Sequence, residues 1–171
     1  MKLTLPQQDV YFEQLLYIDE PIYNIGAKIV IDGPIKYEIL NGAYKGLINQ
    51  HDAFRTKIFV NKDQVFFEIQ EGFEEDLIFL DLSSKVNANE EAINYMDNSF
   101  VISFDLAKKE LLHEFILIKV SDTFYYLFSK YHHIITDGWG TSLMFQRLVK
   151  NYNELFGNSQ FLSSYPYSYK N

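Results

Sequence analysis

Cysteine is absent from this chain of 171 residues. Disulfide staples, thiolate catalysis and cysteine-based zinc sites are excluded with it. Arginine is nearly absent too: of 15 basic residues only Arg55 and Arg147 are arginine. No apolar run approaches the roughly 20 residues that span a bilayer. The first residues, Met1-Lys2-Leu3-Thr4-Leu5-Pro6, lack the apolar stretch of a signal peptide, so a cytoplasmic location is the expectation. Positive charge is outweighed, leaving a net −8. That balance repels duplex nucleic acid and disfavours anionic membrane surfaces, so neither is expected as a partner. No glycine-rich phosphate loop, no Gly-x-Ser-x-Gly element, no internal repeat and no low-complexity tract is present.

What remains is rich in apolar (47%) and aromatic (17%) residues, a composition that argues against disorder. A chain of this length removes about 70% of its unfolded surface from water, enough for one domain or one lobe of a larger one.

Periodicity divides the chain into interleaved elements. Pro6 suits the first turn of a helix over residues 6–17, where Phe12, Leu15 and Leu16 form an i, i+3, i+4 stripe. Alternation over 23–31 reads as a half-buried strand ended by Asp32-Gly33-Pro34. A helix over 36–50 carries Leu40, Ala43, Tyr44 and Leu47 on one face. Residues 54–60 and 65–69 read as a hairpin about Asn61-Lys62-Asp63, and 77–80 as a short strand. A helix over 89–100 opens on Asn89-Glu90-Glu91, a cap followed by acidic residues at the positive end of the dipole. Two long strands, 111–120 and 124–133, meet at Ser121-Asp122-Thr123. The last helix, 138–156, repeats Phe145, Leu148, Val149, Tyr152, Leu155 and Phe156 at helical spacing. Gly157-Asn158 stops it. The tail, 161–171, is tyrosine-rich without clear period. The class is α/β in the mixed α+β sense, a mostly antiparallel sheet covered by helices.

The chemistry concentrates at His132-His133-Ile134-Ile135-Thr136-Asp137-Gly138. Two histidines end a strand, and successive side chains there point to opposite faces, so only one of them can face a given cleft. An imidazole at a strand end can take up a proton near neutral pH. It can equally be structural. Asp137 fits the N-cap of the last helix. Gly138 permits close backbone approach, and amides of the helix start could steady an oxyanion. A metal site is not expected: the two histidines diverge, and His51 and His113 have no ligand-like spacing to them.

The run Tyr131 to Trp139 resembles the HHxxxDGW signature of nonribosomal peptide synthetase condensation domains. Leu3-Thr4-Leu5-Pro6-Gln7-Gln8 through Phe12 resembles that family's opening segment, a helix start containing glutamine. Asn49 to Phe59 resembles its RHxxLRTxF segment, and Phe104-Asp105-Leu106 its FDL element. The resemblance covers essentially the whole chain. It implies a chloramphenicol-acetyltransferase-like lobe, the N-terminal one of two that form a V around the active site, with the C-terminal lobe not in this chain. It implies no directly bound cofactor. Donor and acceptor arrive as thioesters on the phosphopantetheine of upstream and downstream carrier domains and are joined as an amide, in antibiotic or siderophore biosynthesis. His133 is implied as the catalytic residue, acting as base or orienting the amine, with His132, Asp137, Gly138 and Arg55 in support. Asp137 is implied to pair with Arg55 in a buried bridge that holds the His133 loop. An isolated lobe is expected to be inactive. Other readings of the same motif are a lobe of a coenzyme A-dependent acyltransferase and a non-catalytic docking module. The chain departs from the family pattern at residues 49–52, which lack the usual arginine, at Phe54, and at Gly140, where serine is common. Retention of Gly138-Trp139 argues against heterocyclising and epimerase-type relatives. The opening segment and the Tyr131 context lean towards starter-like domains.

Overall fold

The computed structural model describes residues 1–62 and 64–165. Its elements run α1 (Leu5–Leu16), β1 (Asn24–Asp32), α2 (Tyr37–Gln50), a 3-10 turn (Asp52–Arg55), β2 (Thr56–Asn61), β3 (Gln64–Ile69), β4 (Ile78–Asp81), α3 (Ala88–Phe100), β5 (His113–Ser121), β6 (Phe124–His132) and α4 (Gly138–Phe156). The expected tail beyond Tyr165 and the turn residue Asp63 lie outside the described residues.

The main sheet has the order β1-β6-β5-β4. β6 pairs antiparallel with both β1 and β5, and β4 joins β5 in parallel. The hairpin β2–β3 forms a separate sheet of two strands. The expected class therefore holds, with two refinements. The strands divide between two sheets, and one pairing is parallel. That pairing follows from topology: α3 carries the chain from β4 across to β5, and a crossover returns a strand in the same sense.

Helices cover both faces of the main sheet. Phe115, Leu117, Tyr125, Leu127 and Tyr131 join α2, α4 and the hairpin in the larger core. Their alternates Ile116, Ile118, Tyr126 and Phe128 pack on Ala88, Ala92 and Met96 of α3. β6 is central, and residues 125–132 are all buried. This double burial makes β6 the fixed rail from which the motif loop leaves. Lys130 is drawn into the interior as well. Its ammonium donates to the carbonyls of Ser99 (2.9 Å) and Ile102 (3.2 Å). There it meets the negative end of α3, where a cation is favoured.

Two expectations about helix faces fail. The apolar stripe of α1 looks outward, with Phe12 55% and Leu16 79% exposed, while Tyr11 and Gln14 are the buried pair. The inward face of α1 is occupied by hydrogen-bonding glutamines. On α4 the buried residues are Met144, Arg147, Leu148 and Asn151, whereas Val149 and Phe156 are exposed. Arg147 and Asn151 share Gln50 of α2, at 2.8 and 3.0 Å to its Oε1, which explains polar groups in a packed seam.

Two histidines lie inside this packing. His113 is boxed edge-on by Phe54 and Phe115 and tilted against Phe73. His132 is fully buried. Burial lowers both from 6.5 to about 4, and the neighbouring His133 adds to the effect at His132. Between those values the unfolded chain binds more protons than the folded one, so stability is complete above pH 6.5 and is lost as pH falls towards 4. For His132 the loss at pH 5 is about 2 kcal/mol. Melting scans from pH 7 to pH 5 should show Tm falling by several degrees; a flat Tm would contradict the neutral burial of these rings.

Candidate active site

The last residue of β6 and the next one diverge as strand geometry requires. His132 is buried and His133 exposed. The backbone remains anchored on both flanks, His132 N–H donating to Leu112 carbonyl (3.0 Å) and His133 N–H to Tyr23 carbonyl (2.8 Å). A tight turn follows, closed by Ile135 N–H donating to the His132 carbonyl at 3.1 Å.

Hydrogen-bond logic fixes the tautomer of each ring. His133 Nδ1 lies 2.8 Å from the Thr136 carbonyl. A carbonyl only accepts, so Nδ1 carries a proton, and in the neutral ring Nε2 is the nitrogen with the lone pair. In His132 the assignment is reversed. The Ile134 amide donates to its Nδ1 at 3.1 Å, so that nitrogen is bare, and Nε2–H donates to Gln14 Oε1 at 3.2 Å.

Asp137 caps α4. Its carboxylate accepts from Gly140 N–H at 2.8 Å, and its carbonyl accepts from Thr141 N–H (2.9 Å) and Thr141 Oγ1 (2.8 Å). Tyr131 OH donates to Thr141 Oγ1 at 2.7 Å, tying the helix start back to β6. The amides of Gly140 and Thr141 are thus already engaged by Asp137, which narrows the oxyanion role expected of this helix start to Gly138 and Trp139. Gly138 has open space where a Cβ would lie, whereas a Cβ at Gly140 would collide with Thr136 Oγ1. The close approach expected at Gly138 is therefore found at Gly140, where a side chain would require the Thr136 hydroxyl to turn aside.

The expected Arg55–Asp137 bridge does not form. Arg55 Nη2 pairs with Asp52 at 2.6 Å, Nη1 donates to the Gln70 carbonyl (2.7 Å) and Nε to the Ile48 carbonyl (3.2 Å). The reason is local. Residues 52–55 form a 3-10 turn rather than the start of a strand, which brings Asp52 and Arg55 onto one side at i, i+3. Arg55 joins the end of α2 to the end of β3, and the exposed Asp137 has the N-cap role.

His133, Ile134, Ile135, Thr136, Asp137 and Gly140 line a cavity of about 590 Å³. Gln7 and Val10 of α1 form one wall, His51, Phe54 and Thr56 another, with Leu143 and Tyr165 at its edge. His51 lies tilted against Tyr165, with ring centroids 4.2 Å apart. Burial and the nearby Arg147 charge lower its pKa to about 4, so it is neutral here. The site is mostly apolar, with one bare imidazole nitrogen from the motif loop. Such an arrangement suits proton uptake from a group held against an apolar wall. Among the described residues no three His, Asp or Glu side chains gather as a metal-binding group. Sequence reasoning did not single out Gln7, Gln14, His51 or Tyr165 as site residues. The signal available was two glutamines seven apart, which fall on one helix face.

A family model described as "Condensation domain" matches residues 1–171. The dimodular nonribosomal peptide synthase of Bacillus subtilis (strain 168) is 30% identical over 153 residues, which is 90% of this chain and 6% of that protein. The crystal structure of the starter condensation domain of rhizomide synthetase is 26% identical with a TM-score of 0.86, covering 94% of this chain and 39% of that one. A mutant of that domain solved in complex with C8-CoA is likewise 26% identical at a TM-score of 0.86, over 93% of this chain and 37% of that one. The chain thus spans under two fifths of these solved domains and a small part of the synthase.

The geometry separates Arg55 from Asp137 energetically. Removing Arg55 as Ala strips Asp52 of its ion pair and should cost about 3 kcal/mol. Asp137→Ala removes a cap, at about 1 kcal/mol. In a double-mutant cycle by urea unfolding the two should add to within about 0.5 kcal/mol. A coupling well above that would restore the direct bridge.

Proposed function

The chain belongs to the condensation domain family, and we propose that it supplies one wall of a site that joins a donor acyl thioester to the amine of an aminoacyl thioester, forming an amide. In this reading it is the N-terminal lobe of such a domain. A second lobe supplies the facing wall, and carrier domains deliver both thioesters on phosphopantetheine arms. Exposed Trp139 (81%) and Leu143 (53%) at the cavity side of α4 suit cover by that lobe.

The observation that supports the reading is the Nδ1 contact of His133 with the Thr136 carbonyl, which leaves Nε2 free of it, on a residue that lines a cavity together with Val10, Phe54, Ile135 and Leu143. The amine nitrogen attacks the thioester carbonyl carbon. A C–N bond forms, and the carbon–sulfur bond breaks as the tetrahedral adduct collapses. His133 Nε2 takes the proton shed by the nitrogen and returns it to the departing sulfur, so the ring ends neutral and ready for another cycle. An acyl donor is further supported by the C8-CoA bound to the related starter domain.

In the full-length gene product, His133→Ala should lower kcat for amide formation by about 10²-fold or more, the usual scale of general-base loss. Because His133 is exposed, Tm should remain near that of the parent. Undiminished product from a folded His133→Ala protein would sink the assignment and favour a docking role.

A further inference from the structure

Residue 134, directly after His133, has both of its backbone polar groups fastened towards α1. Gln7 Nε2 donates to the Ile134 carbonyl at 3.1 Å. The Ile134 amide donates to His132 Nδ1, and His132 Nε2–H donates to Gln14 Oε1. Ile134 and His132 are both buried. Gln7 and Gln14 are separated by two helical turns and share a face. These contacts bridge 127 and 118 residues of sequence.

Neither glutamine amide can be reversed. Gln14 Nε2 donates to the carbonyls of Tyr17 (2.7 Å) and Glu20 (3.1 Å), so its oxygen must face His132. Gln7 Oε1 accepts from Thr4 N–H and Thr4 Oγ1, both at 3.0 Å, so its nitrogen must face Ile134. Each donor and acceptor in the chain is therefore determined by its neighbour, and the chain ends on the residue that follows the exposed imidazole.

We propose that Gln7 and Gln14 are positioning residues that set the direction of His133 Nε2 by holding residue 134. The kinetic part rests on the reading of His133 as proton acceptor; the geometric part stands without it. Gln7 has two separable jobs. Its oxygen closes the capping box of α1, a job that Glu performs as well as Gln. Its N–H donor holds the loop, and Glu has no such donor when ionised.

Gln7→Glu is accordingly the deciding variant. It keeps the α1 cap and sets a carboxylate oxygen against the Ile134 carbonyl. In the full-length gene product, Tm should fall by no more than a few degrees, the scale of one lost hydrogen bond. kcat for amide formation should fall by about tenfold to a hundredfold with KM little changed, as expected of a misaimed catalytic group. The ¹⁵N signals of the His133 ring should leave the single Nδ1–H pattern for a tautomer average. Gln14→Leu should act in the same direction on both rings, and should it fail to fold, Gln7→Glu decides alone. A folded Gln7→Glu protein with wild-type kcat and unaltered His133 signals overturns the proposal. So does a loss of kcat that merely tracks a fallen Tm. If the His133 signals shift in Gln7→Glu while His133→Ala still forms amide at the parental rate, the positioning role stands and the catalytic reading falls.

Discussion

The loop that carries His133 is held against rotation, and the restraint falls on one peptide unit. Ile134 is buried, its amide bonded to His132 Nδ1 and its carbonyl to the side-chain amide of Gln7. An unsatisfied buried amide or carbonyl costs about 1–3 kcal/mol, so both bonds penalise any swing of the loop. Upstream, β6 is buried along residues 125–132 and pinned by strands on both sides. Downstream, Asp137 caps α4, and Thr141 joins that cap to Tyr131. His133 thus stands exposed on a segment clamped at each end.

This restraint explains the orientation of α1. A helix with Phe12, Leu15 and Leu16 on one stripe would ordinarily bury them. Here they are exposed, and the packed side bears Gln7, Tyr11 and Gln14. The helix gives its inward face to polar contacts with the motif loop and leaves its apolar face available to cover from elsewhere, which suits a lobe that is one wall of a larger site. The two motif histidines divide along the same line. His132 is held in the interior by Gln14 and the Ile134 amide, and His133, which lines the cavity, engages the Thr136 carbonyl through Nδ1.

Periodic features were legible in the sequence. α4 runs over the expected residues, both hairpins lie where alternation and turn residues put them, and alternation at a strand end separated His132 from His133. Contacts set by long-range geometry were not legible. No local pattern shows that Gln7 meets Ile134 across 127 residues. Nor does one show that β4 returns parallel to β5. The pairing of Arg55 with Asp137 was implied by the resemblance, and residues 54 and 55 were read as the start of a strand. A 3-10 turn rotates Asp52 towards Arg55 and leaves Asp137 to its helix. At Gly140 the approach of Thr136 Oγ1 means that a side chain there would require the Thr136 hydroxyl to turn aside.

The most direct test is the protonation pattern of the two adjacent rings in the wild-type protein, read from ¹⁵N–¹H correlations of the imidazoles near pH 7.5. Opposite tautomers are expected: His132 as Nε2–H and His133 as Nδ1–H. The same tautomer in both rings, or a rapidly averaging His133, would contradict a loop held so that Nε2 is the bare nitrogen of His133.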